Sequence, residues 1–223
     1  MANERKQNRQ YIFTVEGETE QWYFEWLRDT INKNPDSKYT VSIISKVQQS
    51  PKKYAKTVIP LSTPLITHIC DCESNSTEHI TKFHNILGEL KDANSKLGKK
   101  FKYELGYSNY TFELWMILHK KVCNGTLTNR KQYLPHINQA YQEKFQSLDE
   151  YKEEANFKRC LSKLSLNDVC NAINRAQNIM HSKTENLETP VCYKGFSYYK
   201  ENPALTIWES IATILKECGL FSE

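Results

Sequence analysis

Short apolar runs alternate with longer amphipathic stretches along the first half of the chain. The runs are rich in β-branched and aromatic residues, which predicts buried strands at residues 11–15, 39–44, 64–70 and 102–108. The stretches between them place apolar residues at steps of three and four, which predicts helices that each pack one face on a sheet. This alternation favours an α/β fold with a mainly parallel, four-stranded sheet sandwiched by helices.

Beyond residue 125 the apolar positions follow a helical period. The aromatic segment 191–199 has some strand character, but the remainder predicts helices. We therefore expect a core domain over residues 1–125 and a helical extension over residues 126–223 that packs on it. The uniformly apolar segment 112–121 is expected to lie beneath the sheet rather than at the surface.

Composition narrows the class of protein. The chain has 223 residues, of which 39% are hydrophobic and 25% charged, and it carries a formal charge of +4. These values are typical of a soluble protein and permit nucleic-acid binding without requiring it. No apolar stretch suits a signal peptide or a membrane span, so we expect a cytoplasmic location. The seven cysteines lack CxxC spacing, which disfavours a disulfide framework or a zinc site, and Cys70 and Cys72 are expected to pack within a strand.

Carboxylates collect just after two of the predicted strands. Glu16, Glu18 and Glu20 follow the first strand, and Asp71 and Glu73 follow the third. Ligands collect at the carboxyl ends of parallel strands, and the Asp-x-Glu spacing in extended backbone turns both side chains to one side. Such oxygen ligands suit Mg²⁺ or Mn²⁺, which can orient a phosphodiester and activate water. The alternative is a solvated loop whose glutamates stabilise the first turn of a helix.

Other residues near these acids could have either a structural or a functional role. Gly17 either adopts a positive φ in a tight turn or allows close approach of a phosphate. Glu113 lies in an apolar helix, so its burial would require a metal or a basic partner. His119 and the tryptophans at helical spacing are expected to be core residues rather than a catalytic base or a stacking platform for bases.

Longer motifs carry a family resemblance. VEGETE after a strand, with DCE at the end of a later strand, resembles the Toprim domain of primases, topoisomerases and a set of nucleases. VEGETEQWYFEWL together with YSNYTFELWMILHKK, NAINRA and ENPA resembles the RloB family over most of the chain. RloB-like proteins are similar to the Toprim nucleases of bacterial antiphage systems, including the AbiL type of abortive infection. They are often encoded beside an AAA- or ABC-type ATPase.

The resemblance implies roles for five acids. Glu16 matches the glutamate that binds metal or moves protons. Asp71 and Glu73 match the paired acids that hold Mg²⁺ or Mn²⁺, although Glu73 stands where aspartate is usual. Glu20 and Glu113 match acids that would complete a second metal site. All five are therefore expected as metal ligands, with Glu16, Asp71 and Glu73 also catalytic.

The remaining motif residues have more varied implied roles. Lys144, in a tyrosine-lysine context that related chains carry, is expected to act as a transition-state lysine. Asn109 matches the third motif, in which Tyr110 replaces the usual proline. Asn202 and Pro203 match the terminal motif, which is expected to start a helix rather than perform chemistry.

Basic residues in or beside predicted loops suggest a substrate. Lysine pairs on a surface usually serve solvation, but phosphate contacts need such groups around a metal site. The expected nucleic-acid contacts are Lys99, Lys100, Lys102, Lys120, Lys121, Arg130 and Lys131.

Together these patterns predict a Mg²⁺- or Mn²⁺-dependent Toprim nuclease that acts in phage defence with an ATPase partner. The rival hypothesis is a non-catalytic Toprim-fold module that binds nucleic acid or regulates the ATPase. The residues leave open whether the substrate is DNA or RNA such as tRNA, whether one or two metals bind, and whether the chain forms a homo-oligomer.

Overall fold

The computed structural model describes residues 6–57, 65–97 and 101–222. Its strands are β1 Asn8–Val15, β2 Thr40–Val47, β3 Leu65–Asp71, β4 Lys102–Asn109, β5 Val191–Tyr193, β6 Phe196–Tyr198 and β7 Ala204–Leu205. Its helices are α1 Glu18–Lys33, α2 Pro51–Thr57, α3 Thr77–Leu97, α4 Glu113–Leu118, α5 Tyr133–Tyr141, α6 Leu148–Lys152, α7 Glu154–Leu161, α8 Leu166–Glu185 and α9 Ile207–Glu217, with a 3-10 helix at Arg130–Gln132.

The central sheet has the strand order β2-β1-β3-β4-β7. The pairs β1–β2, β1–β3 and β3–β4 are parallel, which confirms the predicted α/β fold with a mainly parallel sheet. Asp71 at the end of β3 lies opposite Ser108 near the end of β4. Three adjacent strands, β1, β3 and β4, therefore finish at the same edge of the sheet.

Two hydrophobic cores occupy the two faces of this sheet. One contains side chains of α1, α4 and the later helices, and the other lies mainly between the sheet and α3. Trp115 of α4 is fully buried, so the apolar helix does lie within the core as predicted. Trp22 and Trp26 pack against the same core but remain partly exposed.

Asparagine side chains cover backbone groups on two strands of the sheet. Asn32 of α1 donates to the carbonyl of Val41 at 2.9 Å and accepts from its N–H at 2.7 Å. Asn94 of α3 makes the same two contacts with Tyr103 of β4, at 3.1 and 2.7 Å. Unpaired backbone N–H and C=O groups at a strand edge promote association with other strands. The two asparagine amides hydrogen-bond such groups and so prevent this association.

The C-terminal half departs from the helical prediction in three strands. The aromatic segment forms the antiparallel hairpin β5–β6. The short strand β7 pairs antiparallel with Ser108 and Asn109, which makes five strands in the main sheet rather than four. A strand of two residues is too short to show an alternating pattern in the sequence. It is recognised only from its pairing with β4.

None of the helices in the described part of the chain has the length and apolar character needed to cross a membrane.

Candidate functional site

Four carboxylates meet where β1, β3 and β4 end, and we call them the carboxylate cluster: Glu16, Glu20, Asp71 and Glu113. Glu16 follows β1 directly, and its Oε2 accepts a hydrogen bond from the Asp71 backbone N–H at 3.0 Å. Glu20 lies in the first turn of α1, and Glu113 is the first residue of α4. Both of these glutamates are buried. The parallel sheet therefore gathers acids from three separate segments of the sequence.

Gly17 permits the close packing of one cluster member. Its φ is −139°, so the positive-φ explanation is wrong. A Cβ at this position would lie 2.9 Å from Glu20 Oε2, too close for an unstrained contact. The Glu20 carboxylate also accepts a hydrogen bond from Thr19 Oγ1 at 2.9 Å. A side chain at this position would therefore require the tip of the Glu20 side chain to move.

Burial and mutual repulsion both favour protonation of the cluster. Burial raises the pKa of Asp71 well above its usual range, and the charges of its carboxylate neighbours raise it further. The pKa of Glu16 and that of Glu20 are also raised, chiefly by burial. A buried carboxylate costs free energy unless a proton, a cation or hydrogen bonds compensate its charge. Binding of a cation would therefore lower the free energy of these ionised acids.

Lys152 supplies a positive charge to the carboxylate cluster. Its Nζ lies 3.0 Å from Glu113 Oε1, where the Glu113 side chain is only 2% exposed. Lys152 ends α6, whose first turn is capped by the Ser147 side chain, which accepts a hydrogen bond from the Glu150 N–H. Burial lowers the pKa of Lys152, but the neighbouring carboxylates, Glu113 first, hold it above its usual range. One lysine against four ionised acids would leave a net charge of about −3.

Several buried polar atoms around the cluster lack a hydrogen-bond partner among the described residues. Two are carboxylate oxygens, Glu16 Oε1 and Glu113 Oε2. Nearby along the chain are four further oxygens and one indole nitrogen: Ser108 Oγ, Asn109 Oδ1, Thr111 Oγ1, Tyr151 OH and Trp115 Nε1. Buried oxygens of this kind normally bind water or an ion. The donor set therefore has the chemistry of a hard-cation site.

A finished coordination shell is not present. Within residues 6–57, 65–97 and 101–222, no group of three or more His, Cys, Asp or Glu side chains is arranged to hold a metal ion. The four acids are close enough to influence one another's pKa, but a cation would have to draw their oxygens closer together.

Glu73 makes its ion pairs outside the carboxylate cluster, although its charge is close enough to raise the pKa of Glu16. Its Oε1 lies 3.1 Å from Lys82 Nζ, and its Oε2 lies 3.5 Å from Arg130 Nη1 and 3.6 Å from His79 Nε2. Burial raises the pKa of Glu73, but the hydrogen bond and charge of Lys82, together with the charges of His79 and Arg130, outweigh burial and lower it. Asp71 and Glu73, two residues apart, are thus perturbed in opposite directions.

A family model confirms the resemblance carried by the motifs. The model of the RloB-like protein family matches residues 11–214. The chain belongs to the RloB-like family. No curated protein and no solved structure matches it.

The RloB-like motif asparagines organise the surroundings of the site. Asn109 donates to the carbonyls of Tyr199 and Lys200 at 3.0 and 2.6 Å, which fixes the segment before β7 to the end of β4. Asn202 accepts from the Leu127 N–H and donates to the Leu127 carbonyl, both at 2.7 Å. Asn202 therefore holds the loop before Arg130 instead of starting a helix.

The predicted basic contacts are scattered in this RloB-like chain. Lys102 lies at the amino end of β4, six residues before Ser108, which is about 20 Å from the cluster at the usual rise of a strand. Lys99 and Lys100 lie outside the described residues. Lys120 forms an ion pair with Asp168 at 3.0 Å, and Lys121 hydrogen-bonds Gln139.

Among the described basic residues that were predicted to contact nucleic acid, only Arg130 forms an ion pair with a predicted metal ligand, Glu73. Lys131 is exposed on the same 3-10 helix. Lys144 is also exposed, and Lys152 rather than Lys144 lies beside the carboxylates. The Tyr151–Lys152 pair was the sequence signal that could have identified this lysine.

His119 is a core residue, as predicted. Its Nδ1 lies 2.9 Å from the Trp115 carbonyl and its Nε2 lies 3.1 Å from the Tyr23 hydroxyl. The first contact requires a proton on Nδ1, so Nε2 accepts from the tyrosine. Burial lowers the pKa of His119 to about 4, which keeps the ring neutral near pH 7.

Proposed function

We propose that this RloB-like chain is a divalent-cation-dependent nuclease that hydrolyses phosphodiester bonds of nucleic acid. The observation that carries the proposal is the carboxylate cluster, which has two buried and two half-buried acids beside Lys152. Glu16 Oε1 and Glu113 Oε2 have no hydrogen-bond partner among the described residues. An arrangement built only for stability would leave fewer buried charges without compensation. Membership of the RloB-like family agrees with this interpretation.

The chemistry follows from the donor atoms. Asp71, Glu16 and Glu113 would hold Mg²⁺ or Mn²⁺, with Glu20 supporting them from α1. Such a cation polarises a phosphodiester and lowers the pKa of its coordinated water. Glu16 is well placed to accept a proton, because its Oε1 has no partner among the described residues while Oε2 is fixed by the Asp71 N–H. Lys152 offsets repulsion within the cluster and holds Glu113 in place.

The cellular role follows from the resemblance rather than from the geometry. We infer a Toprim-type nuclease of bacterial antiphage defence, cytoplasmic and controlled by a partner ATPase. Its substrate is RNA, with tRNA as one candidate, or DNA. The unfinished coordination shell favours the competing proposal, a non-catalytic subunit that binds nucleic acid or regulates the ATPase.

Cleavage and melting assays on matched variants separate these two proposals. Purified protein, with and without the ATPase, would be incubated with a mixed RNA and DNA pool and Mn²⁺. Asp71→Asn keeps the shape of the side chain but removes its charge, so we expect a folded protein without metal-dependent cleavage. Glu18→Gln is the control, because Glu18 is exposed in the same helical turn as Glu20.

The wild-type melting temperature should also rise with Mg²⁺ or Mn²⁺, since a cation that binds only the folded state stabilises it by about 1.4 kcal/mol at ten times its Kd. The rise should be retained in Glu18→Gln and lost in Asp71→Asn. Full cleavage by a folded Asp71→Asn protein would refute the catalytic assignment. A wild-type protein that neither cleaves the pool nor responds to either metal would establish the non-catalytic alternative.

A further inference from the structure

The acidic pair after β3 is divided between two environments. Asp71 belongs to the carboxylate cluster, whereas both carboxylate oxygens of Glu73 face nitrogen atoms of Lys82, Arg130 and His79. A carboxylate whose oxygens are already engaged by cations would lose those contacts on turning toward a metal. Glu73 is therefore a poor candidate for a metal ligand, despite its spacing from Asp71.

Glu73 forms ion pairs with Lys82 and Arg130, which lie on different helices and are both partly exposed to solvent. Lys82 lies on α3, and Arg130 begins the 3-10 helix before α5. Their side chains are 51% and 55% exposed, respectively, whereas that of Glu73 is only 20% exposed. An anchored ammonium and guanidinium with an open face can still accept a second anion.

Lys82 links this group to the carboxylate cluster. Lys82 and Glu16 line the same cavity of about 390 Å³, which opens along α3. Burial lowers the pKa of Lys82, but the charges of Glu16, Glu73 and Asp71 raise it above its usual range. Lys82 thus lies at the rim of the proposed cation site, and Arg130 is connected to it through their shared partner Glu73.

Hydrogen bonds fix the backbone around Arg130, in addition to the ion pair of its side chain with Glu73. Asn129 forms a capping box with Gln132 at the start of the 3-10 helix. The Asn202 amide holds both backbone groups of Leu127, three residues before Arg130. Preorganised side chains lose less conformational entropy when they bind a ligand.

We propose that Glu73 is an anchor for two phosphate-binding cations, Lys82 and Arg130, and is not a ligand of the catalytic metal. This inference rests on the proposed nuclease function and names its substrate contacts. The bound chemistry is the phosphate backbone of a nucleic-acid strand, which these cations would hold beside the carboxylate cluster. Contacts of this kind position a strand without reading its sequence.

Binding of labelled single-stranded RNA and DNA oligonucleotides of mixed sequence tests the two cations. Ca²⁺ replaces Mg²⁺ in this assay, and gels confirm that the oligonucleotides stay intact. Lys82→Gln and Arg130→Gln should each weaken binding several-fold. Each should also reduce the slope of log affinity against log salt by about 0.7, the value for one phosphate contact on a single strand. Lys96→Gln is the matched control, because Lys96 is an exposed, ion-paired lysine on the same helix as Lys82, fourteen residues or about 21 Å farther along it, and it should leave the slope nearly unchanged.

Melting curves test the role of Glu73 separately. Glu73→Gln should keep the Mg²⁺-induced rise in melting temperature, whereas Asp71→Asn should lose it. Loss of the rise in both variants would make Glu73 a metal ligand and overturn the inference. If the wild-type protein cleaves and responds to Mg²⁺ but Lys82→Gln and Arg130→Gln bind as it does, the inference fails alone. If the wild-type protein shows neither cleavage nor a Mg²⁺ response, the proposed function fails with it.

Discussion

Lys152 brings a positive charge into the carboxylate cluster, and Lys152→Met should have opposite effects on stability and on cation affinity. The Lys152–Glu113 pair spans 3.0 Å. At an effective dielectric constant of about 20, unit charges about 3 Å apart attract by roughly 5 kcal/mol. The Lys152 side chain is 37% exposed, so solvent screening reduces this value. We expect the metal-free variant to lose about 2–3 kcal/mol, or roughly 5–10 °C in melting temperature.

The same substitution should make the cluster bind a divalent cation more tightly, since the competing positive charge is gone. Mg²⁺ titrations of wild-type and Lys152→Met protein, followed by thermal melting, measure both effects. Lys144→Met is the control, because Lys144 is an exposed lysine eight positions earlier and should change neither quantity. A Lys152→Met protein that melts as the wild type does in EDTA and responds equally to Mg²⁺ would refute this account of the site.

Two further predictions concern residues beneath and beside the cluster. Gly17→Ala places a Cβ about 2.9 Å from Glu20 Oε2, so it should shrink the Mg²⁺-induced rise in melting temperature; Gly125→Ala, which has open space around it, should leave that rise intact. Burial lowers the pKa of His68 from 6.5 to about 3, so the folded state binds fewer protons than the unfolded chain between these values. The free energy of unfolding should therefore fall as pH drops below 6.5, by up to about 1.4 kcal/mol per pH unit from this group. His68→Gln should flatten that dependence in urea titrations at pH 5.0–6.5, and an unchanged slope would contradict the assignment of a neutral buried imidazole.

The core of the fold was predictable because its signals are local. The apolar runs that became β1 to β4 and the amphipathic stretch that became α1 each carry their own periodicity. The start of α2 is local too: serine before proline favours a helix start, and Ser50 Oγ accepts from the Lys53 N–H at 3.3 Å. The hairpin β5–β6 and the short strand β7 gave weak or no signal, because their hydrogen bonds come from partners distant in sequence.

By itself, the sequence determined the α/β alternation, the position of acids at strand ends and the family. Those properties depend on residue type and short spacing, which a linear pattern records. Only the tertiary structure decided which acids meet. Strand order brings Glu113, which follows β4, to Asp71, and the packing of α6 adds Lys152. The chain after β3 takes Glu73 to Lys82 and Arg130 instead. Charges act through space over a few ångströms, so their partners depend on the packing of distant segments and not on neighbours along the chain.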